Sequence, residues 1–341
     1  MVCWRSWDKA GAAMIRSVIA RSASPLEADR LDFRGDEYTM IAARRFTASI
    51  VTAIAIPALA DATAATPDFS GIWARNSFNF ETPPSGPGPI TNIRRVGADA
   101  SRPILGGDPV PLVGDYTSPI LKPQAADLVK RWGEVSAGGH DNPDPSNQCA
   151  DFSPPFMLQM QQRVEILQLQ NEIVFVYSGD DHVRHARLNE AHPKKVAPSP
   201  MGHSVAYYDG DTLVVDTVGI KVAPYTVVDR FGTPQSEAMH VIERYRLIGA
   251  DEARIAQERH EQTSGRTGGK EGNWPFNPGE TKGLQIQVTV DDPNVFTTKW
   301  SGNLTYRHTF LPWEERVCAE NNTDVLRQGF EHVPTAEKPD F

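Results

Sequence analysis

The residues best suited to chemistry in this chain sit at strand spacing. In the run HVIERYR, alternate residues of an extended strand share a face. His240, Ile242, Arg244 and Arg246 therefore lie on one side, and Val241, Glu243, Tyr245 and Leu247 on the other. An imidazole beside two guanidiniums offers proton transfer near neutral pH and a hold on anions, provided that face lines a cavity. On an outer face the same residues are a solvated surface with His240 at the rim. A second run, TLVVDTV, carries Asp216 among valines and threonines, where a carboxylate is costly to bury without a partner. His203, His240 or an arginine could be that partner, and backbone amides are the alternative. A carboxylate–imidazole pair orients the ring and raises its basicity, so His203, Asp216 and His240 form the candidate catalytic set. Arg244, Arg246, Glu237, Tyr207 and Tyr245 are the candidate substrate-binding residues. For Glu237 and its neighbour Ser236, loop capping competes with a place at the cavity mouth. Most of the aromatic residues nearby are expected in the core, with a few forming a wall for a flat or apolar ligand.

Familiar catalytic signatures are absent: the chain has no GxSxG, no HExxH, no phosphate-binding Walker loop and no dinucleotide-binding glycine pattern. His182 and His185 fall on opposite faces if their segment is a strand. His203 and His240 with a carboxylate could make a facial metal site, but no histidine pair has a spacing that demands one. The expected chemistry uses neither metal nor cofactor.

The elements that must position these residues are mostly β. Fourteen of the 27 prolines fall between Pro67 and Pro155, which excludes continuous helix or sheet there. Residues 66–155 read as a Pro/Gly-rich arm or lid, with one short helix over 122–134, where Pro123 stands in the first turn. Beyond Phe156, β-rich runs occupy 164–177, 203–220, 237–248, 253–262, 284–292, 295–300, 303–311 and 315–320. The Asp-Gly at 209–210 is a strong hairpin signal. Sequential hairpins with few helical intervals predict an antiparallel up-and-down barrel over 156–325, followed by a tail over 326–341. A β-sandwich is the alternative fold. The segment 263–283 reads as a Gly-rich inserted loop.

Arg44 and Arg45, the apolar run Phe46–Leu59 and the small residues after it have the layout of a secretory signal over 40–65. Met40 stands directly before it, so residues 1–39 read as a mis-assigned leader. Two cysteines, Cys149 and Cys318, then remain, and an oxidising periplasmic or extracellular compartment makes one bridge between them the natural pairing, with two free thiols as the alternative. The formal net charge of −9 argues against nucleic acid or an anionic membrane as partner once the signal is removed. A small-molecule ligand or substrate is the expected partner. The oligomeric state is open.

Four blocks, PDFSGIW (67–73), GHSVAYYDGDTLVVDTVGI (202–220), SEAMHVIERYRLI (236–248) and C-AENN (318–322), occur in this order. Together they resemble the recurrent blocks of a family of exported bacterial proteins of undefined function. The resemblance spans most of residues 67–322 and implies a calycin-like or lipocalin-like β-barrel, with no established reaction. Gln235 stands where that family often has His, and the 263–283 insertion interrupts a strand pair that is usually direct. These readings lead to an exported acid–base enzyme of lyase, dehydratase or isomerase type, acting on a small aromatic or lipophilic compound in a barrel cavity. The alternative is a binding protein that carries such a compound unchanged.

Overall fold

The computed structural model describes residues 66–93, 111–160, 162–179, 182–264, 274–311 and 313. Residues 1–65, with the expected leader and secretory signal, lie outside the described residues, as do Cys318, the 315–320 segment and the 326–341 tail. Nine strands close into a barrel. They are β1 (Gly71–Ala74), β2 (Arg163–Gln168), β3 (Glu172–Tyr177), β4 (His182–Leu188), β5 (His203–Asp209), β6 (Thr212–Val218), β7 (His240–Gly249), β8 (Lys282–Asp291) and β9 (Trp300–His308). Helix α1 (Pro123–Ala137) lies between β1 and β2, and helix α2 (Ala250–Ser264) joins β7 to β8.

Each strand pairs with its sequence neighbour, and β9 returns to β1 through Trp73↔His308. The pairs are antiparallel except β4 and β5, which run parallel through Ala186↔Ser204 and Leu188↔Ala206. The expectation of a wholly antiparallel barrel is corrected by parity. Nine strands cannot alternate in direction around a closed ring, so one adjoining pair must be parallel. A parallel pair cannot be closed by a tight turn and needs a long crossover. Residues 189–202 supply it, between Leu188 and His203.

The barrel encloses the core. Interior positions alternate along each strand: Ile173, Phe175 and Tyr177 on β3, Leu213 and Val215 on β6, and Leu284, Ile286, Val288 and Val290 on β8 are all buried. Small barrels are filled by such side chains. One interior pair is ionic. Arg184 on β4 and Glu243 on β7, each 1% exposed or less, meet in a bidentate pair at 2.6 and 2.8 Å. β5 and β6 separate those strands in the ring, so the bridge crosses the lumen. The Tyr245 hydroxyl also donates to Glu243, and Phe175 lies 4.8 Å from the Arg184 guanidinium. Burial alone would push the guanidinium's pKa down, but the Glu243 carboxylate holds it well above its ordinary value.

The expected helix over 122–134 is present as α1. Three further expectations are revised. The 253–262 run is helix α2, not a strand. Its buried positions, Ala253, Ala256, Gln257 and His260, follow helical spacing, but half of them are polar while Ile255 is exposed, so hydrophobic periodicity hides the helix. Gln257 is buried because its amide donates to the carbonyls of Ala74 and Thr305, tying α2 to the barrel. Residues 293–295 form a turn, Phe296 is bridged to Leu121, residues 297–299 are irregular, and the strand starts at Trp300. The Pro-rich stretch is also not only an arm, because β1 within it is the strand that closes the ring.

Candidate active site

Three of the residues singled out by strand spacing come together on the outer face of the barrel. Asp216 on β6 stands opposite Val205 on β5 and Ile242 on β7. His203 and His240 are two residues along from those partners, so both are diagonal neighbours of Asp216 on the same face, one on either side. Diagonal neighbours are within reach of long side chains. His240 makes the contact directly, with Nε2 at 2.6 Å from Asp216 Oδ1. His203 reaches it through a fourth residue, His192. The Nδ1 atoms of His203 and His192 are 2.9 Å apart, and His192 Nε2 is 3.1 Å from Asp216 Oδ1.

His192 lies on the parallel crossover, so the strand that parity forces to run parallel also brings the fourth member. The crossover is clamped to the end of β6. Ser199 pairs with Ile220, its amide donates to the Gly219 carbonyl, and Ser199 Oγ donates to the Gly202 carbonyl. Gly219 sits at φ +67°, and a Cβ there would be 2.4 Å from Val196 Cγ1. Only glycine allows the crossover to lie this close.

Hydrogen-bond chemistry fixes the protons. A carboxylate accepts only, so His240 and His192 each donate Nε2–H to Asp216. Neutral His192 is then left with a lone pair on Nδ1, which accepts Nδ1–H from His203. The two outer ring nitrogens, His203 Nε2 and His240 Nδ1, stay open to a substrate, one at each end of the chain: His203 Nε2 is a lone pair, and in protonated His240 Nδ1 carries a proton. His192, Asp216 and His240 are between 23% and 32% exposed, which leaves the cluster open to a small molecule. Burial pushes the Asp216 carboxyl up, but the hydrogen bonds from His240 and His192 outweigh it and hold the pKa below its ordinary value. The bond to Asp216 raises the His240 imidazole pKa against burial, which lowers it; Asp291 adds to the rise and Lys299 opposes it.

His192 uses opposite edges of its ring for its two partners, so the donor atoms form a line. Among the described residues no set of three His, Cys, Asp or Glu side chains converges on a point that would hold a metal ion.

The candidate substrate-binding residues do not gather here. Arg244 shares the outer face but pairs with Asp209 at 3.1 Å, and Arg246 bonds Gln285. The face holding His240, Arg244 and Arg246 is therefore the barrel exterior, not a lumen wall. Tyr245 points inward and is buried, while Tyr207 and Glu237 are exposed. Ser236 caps Asp292 through its amide and hydroxyl, both at 2.7 Å. Two groups escaped sequence reasoning. His192 follows no strand pattern, and its only signal is a lone His in the long connection between two strands. Arg184 had a signal in the alternation of VRHARL, which places it on the same face as Ala186.

Comparison with models of protein families, with curated proteins and with solved structures finds no match to this chain.

Proposed function

We propose that this protein is an exported enzyme of cofactor-independent acid–base type that moves a proton within a small organic substrate, as a lyase, dehydratase or isomerase does. The observation that carries the reading is the continuous chain His203–His192–Asp216–His240, with a basic nitrogen at the His203 end and the raised-pKa imidazole of His240 at the other. His203 Nε2 takes a proton from the substrate, and its Nδ1 proton passes to His192 Nδ1. The imidazolium so formed is stabilised by Asp216, the group that also orients His240. His240 starts as the imidazolium, which its bond to Asp216 favours, and returns its Nδ1 proton at the other end, keeping Nε2–H on Asp216. The proton gained at His203 balances the one released at His240, and exchange with solvent takes the proton from His192 and restores the one on His240 Nδ1. General acid–base assistance of this kind contributes roughly 10²–10⁴-fold in rate.

The sequence blocks that resemble an exported bacterial family fall on β1, on the β5–β6 hairpin and on β7, and they contain His203, Asp216 and His240. As part of the proposal, the calycin-like or lipocalin-like assignment rests on that resemblance, export on the residue layout of 40–65, and the Cys149–Cys318 bridge on the oxidising compartment that export implies. The carrier alternative is disfavoured by a lumen filled with Phe175, Tyr177, Arg184 and Tyr245.

The test is deuterium incorporation, followed by NMR, when the mature chain is incubated in D2O with a panel of enolisable aromatic ketones and β-hydroxy carbonyl compounds. Exchange by the wild type is expected to fall at least about a hundredfold in His203→Ala and His240→Ala, with the melting midpoint nearly unchanged. Absence of exchange above the buffer rate across the panel, or loss of exchange only through unfolding, overturns the reading. Intact mass without reductant reports the bridge as a deficit of two hydrogens.

A further inference from the structure

A second site lies away from the histidine chain, where β7, α2 and β8 meet the end of β9. A pocket of about 250 Å³ opens there, lined by Asp251, Arg254, Asn277, Glu280, Lys282 and Arg307 among others. Its charges are arranged unevenly. Arg254 is neutralised within its own helix by Asp251 and Glu258. Glu280 is fully engaged: it accepts from the amides of Thr281 and Lys282 and from His308 Nδ1. Lys282 is only loosely paired, with Asp68 at 3.7 Å.

Arg307 is different. It is half-buried, and its guanidinium lies 4.1 Å from the centre of the Phe276 ring. No carboxylate among the described residues comes within ion-pair distance of it. Burial lowers its pKa, Glu258 and Glu261 pull it up from further away, and Arg254 pushes it down. A cation taken partly out of water without a counter-ion is costly unless something compensates it. The amino end of α2 borders the same pocket through Ala250 and Asp251, and the helix dipole there favours negative charge.

We propose that this pocket binds the oxyanion group of a small molecule, a phosphate or a carboxylate, held by Arg307 in a bidentate fork with Lys282 as the second cation. Guanidinium matches both groups in geometry. Phe276 fixes the plane of the fork. The pocket does not share residues with the histidine chain, so the proposal stands apart from the acid–base reading.

Calorimetric titration of the mature chain with inorganic phosphate and, separately, with succinate tests it, at constant ionic strength against a chloride control. Saturable binding of at least one of them in the millimolar range or tighter is expected, and which one binds tells phosphate from carboxylate. Arg307→Gln and Lys282→Met should each weaken binding by roughly tenfold or more, as loss of a charged hydrogen bond does. His203→Ala should bind like the wild type. If Arg307→Gln fails to fold, Lys282→Met decides, since that side chain is 42% exposed and its loss spares the core. No saturable heat beyond chloride, or equal binding by the folded variants and the wild type, overturns the proposal.

Discussion

Replacing Glu243 by Gln tests whether the ion pair across the lumen sets the stability of the barrel. The substitution keeps the shape and one acceptor oxygen but removes the charge that Arg184 faces at 2.6 and 2.8 Å. Both side chains are essentially without solvent contact, so water cannot replace the lost carboxylate. Breaking a buried pair from one side costs about 3–5 kcal/mol, because the remaining charge is left uncompensated. The retained amide oxygen and the Phe175 ring over the guanidinium put the expected loss near the lower end, about 3 kcal/mol. For a domain of this size each kcal/mol moves the melting midpoint by about 2–4 °C, which gives a fall of about 6–12 °C. Urea unfolding should show a lower midpoint with an unchanged slope. The double variant Arg184→Met with Glu243→Leu should recover most of the loss, since an apolar replacement of a buried pair is often neutral or stabilising. A single variant that loses under about 1 kcal/mol, or a double variant worse than either single one, would refute the description of a dry ionic bridge.

Asp229 is buried, and burial outweighs the hydrogen bonds from Thr233 and Phe231, pushing its carboxyl up to about 6 from 3.8. An acid whose folded pKa exceeds its unfolded value costs stability as pH rises from about 4 to 6. Wild type minus Asp229→Asn should therefore lose on the order of 2–4 kcal/mol of unfolding free energy between pH 4 and 7, read from urea curves at each pH. Asp216 and His240 shift in opposite directions. The lowered Asp216 pKa gives stability that is lost as pH falls below the ordinary 3.8, and the raised His240 pKa gives stability that is lost as pH climbs above 6.5. The difference between wild type and Asp216→Asn should thus peak between those values, and a difference that does not vary with pH is inconsistent with the pairing. Gly219→Ala meets Val196 and an unfavourable φ together, so it should cost about 1–3 kcal/mol and shift the His192 ring resonances in NMR spectra. Unshifted His192 signals would mean that the crossover is not held at Gly219.

Several elements were legible because their signals are local. The Asp-Gly turn announced the β5–β6 hairpin, the proline at the start of α1 announced that helix, and alternation placed His240 with Arg244 on one face and Glu243 with Tyr245 on the other. For Asp216 the sequence left His203, His240, an arginine and backbone amides open as partners, and the structure selects His240 directly. Helix α2 was not legible, because its buried stripe is made of alanine, glutamine and histidine, which satisfy the barrel by hydrogen bonding as well as by hydrophobicity. β1 was masked by the prolines around it, and β4 by its outward-facing His185 and Arg187.

Local rules of spacing therefore determined, from sequence alone, that the described chain is mainly β and that His203, Asp216 and His240 share strand faces suited to pairing. They could not decide which face is outside, because alternation is symmetric until one face meets the core. Ring closure settled it: filling the lumen with Phe175, Tyr245 and the Arg184–Glu243 bridge leaves the opposite face, with His240 and Asp216, on the exterior. Closure also imposed the parallel β4–β5 pair and its crossover, and only that non-local constraint brings His192 between His203 and Asp216.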